Sequence, residues 1–128
     1  MKLTCALIMQ IIKQAEDVKF SEWDLPIGTS LQITRLMDKL YQEQSSMEKE
    51  RMKLLKKYAK LDKDGNIAPD EEGNAQIEDM EAFQKDFREL LEQEVEIDIK
   101  PLNLDFENLE AKGIIKKPSE ITWLIPLV

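Results

Sequence analysis

The residues best placed to do chemistry lie in "LDKDGNIAPDEEGN", residues 61–74, where carboxylates alternate around a glycine and Glu71 follows Ile67. That is the outline of a calcium loop, which needs oxygen ligands at positions 1, 3 and 5, glycine at 6, an aliphatic residue at 8 and glutamate at 12. With Gly65 at position 6, the residues Asp62, Asp64, Ile67 and Glu71 fall at 3, 5, 8 and 12. Lys60 then takes position 1, a cation where the first carboxylate belongs, Ala68 takes position 9, and Pro69 interrupts the approach to a following helix. Starting at Asp62 instead moves glycine to position 4 and puts Gly73 at position 12. Neither register makes a metal site, and no metal is expected. A turn accounts for more of these residues: 66–68 and 74–77 read as two short extended pieces, with 69–73 reversing the chain between them. Asp and Asn cap backbone groups at such turns and tolerate left-handed dihedrals.

The rest of the chain offers little catalytic material. Histidine is absent, which removes the commonest general base and metal ligand. Cys5 has no histidine to activate it and reads as a small core residue. The four glycines form no phosphate-cradling motif, so no cofactor is expected. Glu71–Glu72, Glu94–Glu96 and Asp98 read as a solvated face, and Trp23 and Trp123 as core anchors. The expectation is a protein that is not an enzyme.

A chain of 128 residues fits one domain, 1–128, and with 42% hydrophobic residues it can bury a modest core. A net charge of −8 argues against nucleic acid or an anionic membrane surface as partner. No apolar run approaches the roughly 20 residues of a membrane helix. A single cysteine excludes an internal disulfide and suits an intracellular setting. The opening "MKLTCALIMQIIKQAED" resembles a signal peptide only superficially, because Gln10, Lys13 and Gln14 fall at helical spacing and no small-residue cleavage site follows.

The elements follow from periodicity. Thr4 is placed to cap a first helix that carries Leu7, Ile8, Ile11, Ile12 and Ala15 on one face and stops near Asp17. Val18 and Phe20 alternate like a short strand ahead of a Pro-Gly breaker. Thr29 with Gln32 forms a capping box for a second helix from about residue 30 to 60. Its near-heptad seam is Ile33, Met37, Leu40, Gln44, Met47, Arg51, Leu54, Tyr58 and Leu61, a weakened coiled coil. A third helix over 78–94 bears the stripe Met80, Phe83, Phe87, Leu90 and Leu91. Residues 49–60 hold six Lys/Arg against Glu50, and 70–98 hold twelve Asp/Glu against Lys85 and Arg88, so the two helices should fold back and neutralise each other. The first helix has the length to cover the remaining half of the second, around residues 33–40. Val95, Ile97 and Ile99 alternate with acids as a half-buried strand, with Val18–Phe20 as its expected partner. A bend is expected at Pro101, after which Leu102, Leu104 and Phe106 take up the apolar positions. Asp105 should cap a short helix ending at Gly113.

Over residues 48–128 three stretches carry a resemblance: "EKERMKLLKKYAKLDKDGN", "DFRELLEQEVEIDIKPLNLDFENLE" and "KPSEITWLIPLV". In these the chain is similar to a family of small uncharacterised proteins from phages and prophages of Gram-positive bacteria. The shared features are a charged helix ending at Tyr58, the "DxDGN" turn, an "ELL" helix running into an acidic strand, and a "P…L.PL" tail. They are features of fold, so the resemblance implies phage origin and a host-cytoplasm setting but carries over no catalytic residue.

The expected fold is thus α+β and mainly helical: a long antiparallel helical hairpin with a β-hairpin tip and a small sheet near its base. The expected function is a non-enzymatic protein–protein interaction factor in tail or virion assembly, or a chaperone. Its partner is a phage structural or host protein, and self-association is a secondary expectation. The binding residues are the apolar tail Trp123, Leu124, Ile125, Leu127 and Val128, with Met37 and Met47 on the long helix. The alternative is an acidic inhibitor of a host or anti-phage defence enzyme, using the carboxylates of 70–98.

Overall fold

The computed structural model describes residues 2–97, 102 and 104–114. Over these residues the chain is mainly helical with a small two-stranded antiparallel sheet: β1 (Lys2–Thr4), α1 (Cys5–Asp17), a 3-10 turn (Phe20–Glu22), α2 (Ile27–Tyr58), α3 (Met80–Leu91), β2 (Glu94–Glu96) and α4 (Phe106–Ala111). The expectations for Ile99, the bend at Pro101 and the tail from Trp123 to Val128 concern positions outside the described residues.

Thr4 closes β1 and opens α1. Its hydroxyl accepts the amide of Leu7 at 3.1 Å, the cap that the sequence indicates. The predicted face of α1 is inside: Ile8, Ile11, Ile12 and Ala15 are buried, with Cys5 among them and Leu7 at the margin. Burial raises the Cys5 thiol pKa, consistent with a small core residue.

The partner of the acidic strand is not the one expected. β2 pairs with β1, with Leu3 opposite Val95, Lys2 opposite Glu96 and Thr4 opposite Glu94. Val18–Phe20 cannot be a strand because Lys19 turns into the left-handed region (φ 53°, ψ 49°) and Phe20 enters the 3-10 turn. Phe20 and Trp23, three residues apart, then meet edge to face at 5.0 Å, and the Trp23 indole N–H donates to the Val18 carbonyl at 3.0 Å. A helical turn satisfies both rings, whereas a strand would put them on opposite faces.

α2 has 32 residues, a length of about 48 Å. It starts one turn before the predicted capping box: Pro26 is the N-cap and its carbonyl accepts the Ser30 amide at 2.9 Å. Gly28 reads as a breaker in sequence but sits in the first turn, where the amide has no intrahelical acceptor in any helix. The first half of α2 buries Ile33, Leu36, Met37 and Leu40 against α1, so the two helices share one core. The heptad reading omitted Leu36, which is fully buried. Towards its end the seam loosens: Gln44, Arg51, Leu54 and Tyr58 are half-buried, and Leu61 beyond it is exposed.

Between α2 and α3 the chain makes two turns of one design. Asp62 Oδ1 accepts the amides of Asp64 and Asn66 at 2.9 and 3.0 Å, and Asp70 Oδ1 accepts those of Glu72 and Asn74, both at 2.9 Å. Gly65 and Gly73 supply the positive φ that each turn needs, 80° and 84°. The segments around them are joined by the bridges Leu61–Ile67, Pro69–Ala75 and Ala59–Ile77. The reversal at 69–73 expected from sequence is the second of these turns. The first was not expected as a turn in its own right, and it brings residues 59–61 alongside both later segments.

Asp79 caps α3 by accepting the Ala82 amide, and Asp105 caps α4 by accepting that of Asn108. α4 closes at Gly113 (φ 73°) with Ile114 N–H donating to the Leu109 carbonyl, a Schellman-type end. Leu102 and Leu109 are buried, and Leu102 joins the core of α1 and α2.

Candidate functional site

α3 has acids and apolar residues on opposite sides, but it is docked shallowly. Phe83, Phe87, Leu90 and Leu91 are half-buried, Met80 is exposed, and none of the helix's residues is fully buried. By contrast α1, of nearly the same length, buries five. The sequence shows the stripe on α3 and not its depth, because depth depends on how wide the facing surface is. That surface is the loosened half of the α2 seam, where Gln44 and Arg51 replace apolar residues.

Two contacts hold α3 against α2. At the end near the turns, the Tyr58 hydroxyl donates to Asp86 Oδ2 at 2.5 Å, and Lys57 Nζ lies 3.6 Å from the same oxygen. The ring of Phe83 meets Tyr58 edge-on at 6.3 Å and stacks on Phe87 at 5.9 Å. The Tyr58 hydroxyl, with Lys57 adding to it, holds the Asp86 carboxyl below its ordinary value. At the other end, Phe87, Leu90 and Leu91 face Met47 of α2 and Met9 of α1 across a crevice of about 70 Å³. Gln44 and the Glu48–Arg51 pair, 2.6 Å apart, form its polar rim. Met9 is 41% exposed, so the crevice has an apolar residue on its open side.

The expected neutralisation of the two helices is found at one point only. Arg51 and Lys53 turn back to Glu48 and Glu50 in their own helix, and Lys57–Asp86 is the one ion pair joining α2 to α3 among the described residues. Neighbours at i, i+3 are already within reach on the same helix surface, whereas a partner on another helix must be met by extending both side chains.

Of the residues expected to bind a partner, Met37 is a core residue between α1 and α2. Met47 is also buried, at 7% exposure, but forms one wall of the crevice. Trp123, Leu124, Ile125, Leu127 and Val128 lie outside the described residues. Sequence reasoning passed over Met9, whose signal was an apolar residue off the buried face of α1. Among the described residues, no group of three or more Cys, Asp or Glu side chains is arranged to hold a metal ion, and no helix is long and apolar enough to cross a membrane. Asp62 and Asp70 direct one carboxylate oxygen each to backbone amides, so both shape their turns.

No protein-family model, curated protein or solved structure matches this chain.

Proposed function

We propose that the chain is a non-enzymatic protein-binding factor of phage origin, acting in the host cytoplasm in tail or virion assembly or as a chaperone for an assembling component. The observation that carries this reading is the shallow seating of α3: an apolar stripe with no fully buried residue, ending at a crevice whose open side bears Met9. A helix left half-covered gains further apolar burial when a partner closes over it, at about 25 cal/mol per Å². In this reading α2, the paired turns and α3 work together as a long helical hairpin that presents the stripe, and self-association would use the same surface. The phage assignment rests on the resemblance over residues 48–128, and the absence of histidine and of phosphate-binding glycines supports a non-enzymatic role.

A second reading, an acidic inhibitor of a host or defence enzyme, is supported by the single ion pair between α2 and α3. The remaining carboxylates of α3 and of the turns are left to form an acidic surface.

Tagged wild-type protein and its Met9→Glu and Glu81→Gln/Glu89→Gln variants, expressed in phage-infected cells, test both. Recovery of a virion component that Met9→Glu loses, and the glutamine variant keeps, supports assembly. Recovery of a host enzyme with the opposite dependence supports inhibition.

A further inference from the structure

We propose that a second copy of this chain packs against the flank of α2, in antiparallel order, along an exposed seam running from Ile27 to Leu55. The core seam of α2 recurs at alternating steps of four and three residues. The positions one residue further on keep that spacing, about 100° round the helix and outside the core shared with α1. Ile27, Leu31, Tyr41 and Met52 are the exposed large hydrophobic residues of α2, from 36% to 87% exposed, and all of them fall on this second seam. Single apolar residues scattered over a solvated face need no partner, whereas these keep the register of a coiled coil.

Two observations identify the occupant as the same helix reversed. First, the seam reads nearly alike from both ends. Ile27 and Leu31 begin it, Met52 and Leu55 end it, Tyr41 stands at the middle, and polar residues lie between. A two-fold axis at Tyr41 sets Ile27 against Leu55 and Leu31 against Met52 of the second copy, the self-complementary patch of an isologous dimer. Second, the polar positions match in that order and not in the other. Asp38 comes opposite Ser45 and Glu48 opposite Thr34, carboxylates against hydroxyls. Arg51, 2.6 Å from Glu48, travels with it as a counter-ion. Parallel helices in register would set Asp38 against Asp38 and Glu48 against Glu48, and like charges face to face oppose that pairing.

Self-association through the stripe of α3 would compete with the protein partner for one surface. The seam on α2 pairs two copies and leaves that stripe to the partner. A strip about 42 Å long and about 10 Å wide covers about 400 Å² of each copy. That is half of the roughly 800 Å² per partner in a standard stable interface, so the dimer is weak and forms with rising concentration.

Sedimentation equilibrium of the full chain from about 0.01 to about 1 mM tests the seam. Wild type should pass from monomer towards dimer over that range. Leu31→Glu/Met52→Glu sets like charges face to face and should weaken the dimer at least about tenfold. Leu31→Glu/Met52→Lys sets opposite charges face to face only in antiparallel order, and should dimerise again. The two variants change the same exposed positions, so the second also controls for folding of the first. Met9→Glu should dimerise like wild type. Monomer at every concentration, an unchanged dimer in Leu31→Glu/Met52→Glu, or no recovery in Leu31→Glu/Met52→Lys would each overturn the proposal. A dimer lost in Met9→Glu and kept in Leu31→Glu/Met52→Glu would also overturn it and return self-association to α3. Each of these results leaves the protein-binding reading standing, because that reading is decided by partner recovery through Met9.

Discussion

At the residue scale, three side chains show how position decides consequence. Leu36 is fully buried between α1 and α2, so Leu36→Ala should lower stability by about 2–5 kcal/mol in urea unfolding. Ile27, an equally apolar residue on the same helix, is 87% exposed, and Ile27→Ala should change stability by less than about 0.5 kcal/mol. Asp86 makes a pH prediction. Its folded pKa lies below the ordinary aspartate value of 3.8, because the Tyr58 hydroxyl and Lys57 favour the ionised form. The stabilisation it gives is therefore present above that ordinary value and is lost as pH falls through the lower folded value. Thermal unfolding followed from neutral pH into acid should show a component of destabilisation that Asp86→Asn removes. A retained acid dependence in the variant would assign that component elsewhere.

At the element scale, the paired turns are the best example of what composition can and cannot tell. The glycines and asparagines of "LDKDGNIAPDEEGN" predict turns for stated chemical reasons, and the structure has turns there. That the same Asp-x-(Asp/Glu)-Gly-Asn design occurs twice, eight residues apart, is also visible in the sequence, and comparison with a calcium loop hid it. Because the two turns use the same bonds, Asp62→Ala and Asp70→Ala should each cost about 0.5–2 kcal/mol, the scale of a lost helix cap. Gly65→Ala and Gly73→Ala should each cost about 1 kcal/mol, through the backbone alone, since an added Cβ at either position meets open space. Chemical denaturation of the four variants checks the equivalence. The caps at Thr4 and Asp105 were legible because each places a short acceptor three residues before the amide it receives, whereas Asp79, the cap of α3, was expected inside a helix starting at residue 78. The partner of β2 was not legible. Choosing β1 over Val18–Phe20 depends on Lys19 turning left-handed, a tertiary outcome that the pattern of Val18 and Phe20 contradicts.

At the scale of the whole molecule, the first half of α2 is firmly built into the core and the second half is lightly covered. The sequence hinted at this gradient through Gln44 and Arg51 on the seam. It was misread in one respect: the charges on 49–60 were expected to fasten α3 and instead pair mostly within α2. The candidate site was legible only as a stripe on α3, and Met9, which brings α1 to the crevice, was not singled out. If the shallow docking of α3 is functional, its amides should exchange with solvent well before those of α1, with α2 showing a step between its halves near Met47. Uniform protection of α1 and α3 would remove that expectation.

The most direct test of the central claim is calorimetric titration of the recovered partner into wild type and Met9→Glu, each at low and high salt. Binding through the crevice predicts that Met9→Glu weakens affinity by at least about tenfold, or 1.4 kcal/mol, while salt changes wild-type affinity little. Unchanged affinity in Met9→Glu together with a steep loss in salt would contradict it and place the interaction on the acidic surface instead.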